Sequence, residues 1–300
     1  MADEQHDPLA QLSDAIATRT EAAQVYGAAI RIAHRRRGGM LWGGDVVIAS
    51  EQVFPRAGEA AIRLSDGREL KAKVAGRDPA TNVVALRLEQ PVDITRPPSA
   101  EARLGALVLA FGAPAGGTPS VRLGIVRALG AAWHSMAGGL IDRRIGLDLV
   151  LSGREEGGPV IDASGGLLGM STAGPRGQGL VIPASTIERV LGPLMATGRV
   201  ERGWLGVALH PVALSEPVAA QQGADRGLMV MQVVSEGPAA RAGIHVGDIL
   251  IRIGEVPAVD SRRISAALGP ESIGHEVGLR LIRAGSPLTV AVTVTARPPR

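Results

Sequence analysis

The apolar positions at the start of the chain are spaced for a helix, and the spacing then changes. Asp7 can cap, Pro8 suits the first helical position, and Leu9, Leu12 and Ile16 recur on one face, predicting a helix that ends near Tyr26-Gly27. From there to about Pro183 the pattern is short apolar runs broken by glycine and proline, which predicts strands. The runs are VVIAS (46–50), AAIRLS (60–65), ELKAKVAG (69–76), VVALRL (83–88) and ALVLAFG (106–112), then VRLGIVRAL (121–129), IGLDLVL (145–151), GPVID (158–162), LLGMSTAG (167–174) and GLVIP (179–183). Asp66-Gly67 sits where a two-residue hairpin turn belongs. Strands at this spacing with turn signals between them predict barrels or a sandwich, and EQPVDITRPPSAEARLG (89–105) reads as a link between two barrels. Arg35-Arg36-Arg37 reads as a solvated turn.

A helical period returns at 183–198, with Ser185 or Thr186 near the cap, Ile187, Val190, Leu191 and Leu194 on one face, and Gly198 to close it. A new unit begins at RGWLGVALHP, with helices at Pro238–Ala242 and Asp260–Leu268 among about five strands. The organisation is therefore a helical segment (1–27), a double barrel with its closing helix (28–198) and a C-terminal α+β unit (199–300).

Composition narrows the function classes. The chain is 45% hydrophobic and 20% charged, as in globular proteins, and 40 glycines and 20 prolines fit many turns. Without cysteine there is no disulfide, thiol nucleophile or thiolate metal site. A net charge of +3 gives no reason to expect nucleic acid. No apolar run approaches the roughly 20 residues that span a bilayer. The polar, acidic start lacks the apolar core of a signal peptide, so the expected location is cytoplasmic, or periplasmic if the start is trimmed.

Chemistry concentrates in SGREEGGPVIDASGGLLGMSTAG (152–174). Glu155 and Glu156 with Asp148 raise the idea of a metal or an acid–base pair, but no ligand spacing supports it, and neither metal nor cofactor is expected. The six histidines are scattered, and Ser152, Ser164 and Ser171 read as turn or strand residues.

Over about Leu12 to Ala296 the chain resembles the HtrA/Deg family, trypsin-like serine proteases with a C-terminal PDZ domain. The resemblance rests on IRLSDGRELKAKVAGRDPATN, LVLAFGAP, LGIVRALG, GGPVIDASGGLLGMSTA, GLVIPASTIERVL and RGWLGV in that order. It implies a mainly β fold: a trypsin-like double β-barrel, preceded by a short helix and followed by the PDZ domain. It also implies a histidine, an aspartate and a serine as the catalytic set. Those positions fall on Gln52, Asn82 and Glu156, and the former oxyanion turn on Arg154, Glu155 and Glu156. Gln52 has no basic nitrogen to take a proton, and Asn82 carries no charge. Losing one triad member costs on the order of 10⁴–10⁶ in kcat. The expectation is therefore an inactive homologue, a pseudoprotease and not an enzyme, with Glu156 folded into the oxyanion hole or paired with Arg154.

The resemblance further implies a PDZ groove. The N–H groups of Leu205, Gly206 and Val207 would cradle a terminal carboxylate, and the groove would run between Val207-Ala208-Leu209 and a helix carrying Ile264, Ala267 and Leu268. The plainer reading of these residues is core packing. Expected partners are protein C-termini or extended hydrophobic peptides, with a homo-oligomer or a complex with an active paralogue as a further option. Only Tyr26 is available as an aromatic for family-type trimerisation. Scaffold, adaptor or chaperone-like work stands against residual or unorthodox endopeptidase activity.

Overall fold

Asp7 caps the first helix: its Oδ1 accepts the Leu9 N–H at 2.9 Å, and α1 runs Pro8–Ala23. The structure, a computed structural model, describes residues 7–115 and 118–298, so His6 lies outside it. The helix stops short of Tyr26 because Gln24–Tyr26 tightens into a 3₁₀ turn before the first strand. Its apolar face stays open, with Leu9 75% and Leu12 47% exposed.

Six strands close the first barrel: β1 (Gly27–Ile32), β2 (Arg35–Gly43), β3 (Val46–Ser50), β4 (Glu59–Arg63), β5 (Glu69–Asp78) and β6 (Val83–Leu88). They follow the order β1-β2-β3-β6-β5-β4 around the closure. Arg35-Arg36-Arg37 is thus not a turn but the start of β2, with Arg37 opposite Ile30 and Arg35 opposite Ile32. Three consecutive charges hid the alternation, and the reversal falls on Ala33-His34, where Ala33 has φ 50°. Ile30, Leu41, Val47, Ile62 and Leu86 fill this barrel.

The second barrel repeats the plan with β7 (Leu107–Ala115), β8 (Thr118–Gly130), β9 (Arg144–Val150), β10 (Pro159–Asp162), β11 (Leu167–Ala173) and β12 (Gln178–Pro183). Its order is β9-β12-β11-β10-β7-β8, around Val108, Val126, Leu147, Val160 and Val181. Helix α2 (Ala184–Thr197) follows. Neither Ser185 nor Thr186 caps it: Pro183 stands at the cap position, and Thr186 Oγ1 instead accepts the Asp142 N–H at 2.9 Å. Gly198 closes the helix in the left-handed conformation, φ 78°.

Packing divides the chain into two compact units, one running through Trp133 with Ile141–Arg199, the other comprising His134–Leu140 and Val200–Arg300. In the second, β13 (Val207–Ala213), β14 (Arg226–Val233), β15 (Ile249–Ile253), β16 (Glu276–Arg283) and β17 (Ser286–Thr293) form a sheet in sequence order, and Val256–Pro257 also pairs with β15. Its helices are α3 (Glu216–Gln222), α4 (Pro238–Arg241) and α5 (Ser261–Ala267). Helix α3 was not foreseen; it is a short turn of chain with no buried residue, so it left no periodic signal. Among the described residues no helix is long and apolar enough to cross a membrane.

Candidate functional site

Three segments of the double barrel bring Gln52, Asn82 and Glu156 together. Gln52 lies in a 3₁₀ turn, Glu51–Val53, that leaves β3. Two arginines hold this turn. Arg37 Nε donates to Val53 O at 2.8 Å, and Arg77 stacks over the Phe54 ring while donating to Pro55 O at 2.6 Å and Ala57 O at 3.1 Å. Burial pushes the Arg77 pKa down, and Glu51, 3.7 Å away, works against that. Asn82 precedes β6 with φ 61°, a left-handed conformation that asparagine tolerates better than most residues. There its Oδ1 accepts the backbone N–H of Gln52 at 2.7 Å.

Glu156 closes the turn that leads into β10. Two glycines fix its place. A Cβ on Gly157 (φ 95°) would lie 2.4 Å from Gly38 O, and one on Gly158 would lie 1.8 Å from Phe111 O. The Gly157-Gly158 pair is therefore wedged between β2 and β7, where no side chain fits. Gly157 N–H donates to Ser171 O and Ser171 N–H to Gly158 O, both at 2.8 Å, which ties the turn to β11.

Hydrogen bonds converge on one carboxylate oxygen. Glu156 Oε2 accepts from Gln52 Nε2 at 2.5 Å, from Ser50 Oγ at 3.3 Å and from Thr172 Oγ1 at 3.3 Å. Asn82 Nδ2 donates in turn to Thr172 Oγ1 at 2.8 Å and Ser50 Oγ at 3.1 Å, so its amide feeds both hydroxyls. Gln52 Nε2 also lies 3.0 Å from Thr172 Oγ1 and from Ala173 O. Glu156 is buried, 4% exposed. Ser50 and Thr172 were missed by sequence reasoning; polar residues at the end of VVIAS and inside the apolar GMSTA were the signal.

The turn itself departs from expectation. Glu156 neither folds into an oxyanion hole nor pairs with Arg154; it points to Gln52. Glu155 carries the ion pair, with Arg122, and its Oε2 accepts the Ser152 N–H at 2.8 Å. Burial opposes its charge, but the hydrogen bonds from Arg122 and Ser152 outweigh that and hold the carboxyl below its usual range. Arg154 is exposed, and its carbonyl accepts the Ala113 N–H at 3.1 Å. Asp148 is engaged elsewhere, its Oδ1 accepting the Ile125 N–H at 2.7 Å. Among the described residues no histidine hydrogen-bonds to the cluster.

In the C-terminal unit β13 is an end strand, paired among the described residues with β14 alone. Leu205, Ile264 and Leu268 are buried in the core, whereas Val207, Leu209 and Ala267 pack against it and stay partly open. Ala208 is exposed, and Gly206 takes φ 80°. The loop's carbonyls are occupied: Leu205 O accepts the Ala239 N–H and Gly206 O the Val234 N–H, both at 2.8 Å. Asp260 caps α5, its Oδ1 accepting the Arg263 N–H at 2.9 Å.

Residues 38–170 match the trypsin-like peptidase domain, and residues 203–294 match the PDZ domain. The chain carries the trypsin-like and PDZ domains of the HtrA/DegP family. It is 31% identical, over 84% of its length and 50% of the relative's, to a probable periplasmic serine endoprotease DegP-like of Brucella suis. It is 29% identical to the periplasmic serine endoprotease DegP of Salmonella typhimurium, over 81% of this chain and 53% of that one. The chain thus spans about half the length of the curated relatives it matches. Among solved structures, the HtrA-type protease AlgW with decapeptide superposes with a TM-score of 0.72 at 26% identity, covering 95% of this chain and 99% of that one.

Two expectations are corrected. Relatives at about 30% identity over most of the chain are named serine endoproteases, which overturns the expectation that the chain is not an enzyme. They are also named periplasmic, which points to the periplasm and away from a cytoplasmic location.

Proposed function

We propose that this chain captures protein C-termini or extended hydrophobic peptides through its PDZ domain, working as an adaptor or chaperone-like member of the HtrA/DegP family. The observation that carries this reading is the end strand β13. Its outer edge has no partner strand among the described residues, and it starts at the Leu205-Gly206-Val207 loop. A peptide added there as a further strand would lie between Val207-Ala208-Leu209 and α5. Partly open Val207, Leu209 and Ala267 favour an apolar terminal side chain, while Leu205, Ile264 and Leu268 serve as the floor. The HtrA-type protease AlgW has been solved with a decapeptide and with a tripeptide, which is consistent with peptide capture.

A second reading rests on the relatives' naming as endoproteases. In this proposal Gln52, Asn82 and Glu156 occupy the family's histidine, aspartate and serine positions, supported by their convergence between the two barrels. Any cleavage performed in this cleft then runs without a hydroxyl nucleophile activated by an imidazole.

Fluorescence anisotropy of the full chain with labelled peptides tests the first reading. Peptides ending in a free carboxylate after Leu, Val or Ile are expected to bind, and amidating that terminus to weaken binding about tenfold or more. Equal binding of free and amidated peptides, or none, would sink it. Incubation with a denatured protein tests the second: fragments that accumulate with dose and vanish in Glu156→Ala support cleavage by this cleft.

A further inference from the structure

The carboxylate of Glu156 is asymmetric in its surroundings. Oε2 is saturated by Gln52, Ser50 and Thr172. Oε1 accepts from no described residue, yet it is not sealed in: among the described residues the enclosed side-chain polar atom without a partner is Trp133 Nε1. Oε1 thus retains contact with solvent. No lysine, arginine or histidine among the described residues lies within ion-pair distance of Glu156, while the adjacent Glu155 has Arg122. All the donors at Oε2 are neutral amides or hydroxyls, which orient a carboxylate without cancelling its charge.

A carboxylate taken out of water and left without a cation carries a large desolvation penalty, which a cation of suitable size reduces. The neutral donors fix the group in place, so a ligand at Oε1 need not order it. We propose that the Gln52–Glu156 cleft is a receptor for a cationic group, an alkylammonium or a guanidinium/amidinium, presented by an extended peptide. The group docks on Oε1. A lysine or arginine side chain and a free peptide N-terminus share this chemistry. The site is separate from the PDZ groove and does not depend on C-terminal capture.

The test is isothermal titration of the full chain with benzamidine, whose amidinium presents the planar cation, against the near-isosteric neutral benzamide. Benzamidine is expected to bind and benzamide not, and Glu156→Gln, which keeps the shape and removes the charge, to weaken benzamidine about tenfold or more. Acetylated lysine amide and unblocked alanyl-alanine amide then distinguish a side-chain ammonium from an N-terminal one. Equal affinities for benzamidine and benzamide overturn the proposal. So does undiminished benzamidine binding by Glu156→Gln with the same circular dichroism as the parent. A parallel titration with C-terminal peptides reports separately on the PDZ reading, so either can fail without the other.

Discussion

Gln52 Nε2 donates to Glu156 Oε2 at 2.5 Å, joining the turn after β3 of the first barrel to the turn before β10 of the second. A bond to a buried carboxylate contributes more than an average one, and its loss leaves the acceptor short of a donor. Gln52→Ala is expected to lower stability by about 1–2 kcal/mol in urea unfolding. With Glu156→Gln in the background the same change should cost less, because the two residues share one network. Strictly additive losses would show that the bond does not couple the barrels.

The wedge at Gly158 gives a sharper expectation. A methyl group there meets Phe111 O at 1.8 Å, which is backbone and has no rotamer to yield. Gly158→Ala is expected to cost about 1–3 kcal/mol or more, seen as a lowered melting temperature. The same substitution at Gly192, where an added methyl meets open space, serves as the reference. A similar melting point for both variants would contradict the wedge.

In the PDZ unit, buried Asp248 accepts from Arg283 Nε at 2.8 Å and Nη2 at 2.7 Å, and from the His245 N–H at 2.8 Å. Hydrogen bonding to Arg283 holds its carboxyl below the usual range against the opposing effect of burial. A carboxyl whose folded pKa lies under its unfolded value of about 3.9 stabilises the fold above that value. The contribution disappears as pH falls through the lowered folded pKa. Arg283→Met should therefore be less stable than the parent at neutral pH, and the gap between the two stability curves should narrow as pH falls through the lowered folded pKa of Asp248. A gap that stays unchanged over the whole acid limb of the titration would assign the loss to something other than this pair.

Removing the α5 cap tests how the groove is held. Asp260→Ala is expected to cost about 1 kcal/mol of stability. Because α5 forms one proposed wall, peptide affinity should fall alongside it. Intact affinity with lost stability would place the ligand elsewhere.

Much of the fold was legible because burial imposes a period of two on strands such as AAIRLS, because VVALRL is a short apolar run, and because glycine and proline mark the strand ends. The start of β2 was not, since its partner-facing positions are arginines, and α3 was not, since it buries nothing. At the site, motif order singled out Gln52, Asn82 and Glu156, and the structure brings them into one hydrogen-bonded network. The direction of Glu156 did not follow. It is set by the hydroxyls of Ser50 and Thr172, residues distant in sequence that read as ordinary strand members, and by Arg122 engaging Glu155 in place of any pairing at Arg154. Which of two adjacent glutamates meets a cation depends on tertiary neighbours.

The wedged glycine pair bears on how this loop can vary over time. Its path is held by the walls around Gly157 and Gly158 and by the exchange with Ser171. Residue 156 is therefore a replaceable fitting on a fixed mount. Chemistry at that point can be exchanged by single substitutions without the barrel having to refold around each trial.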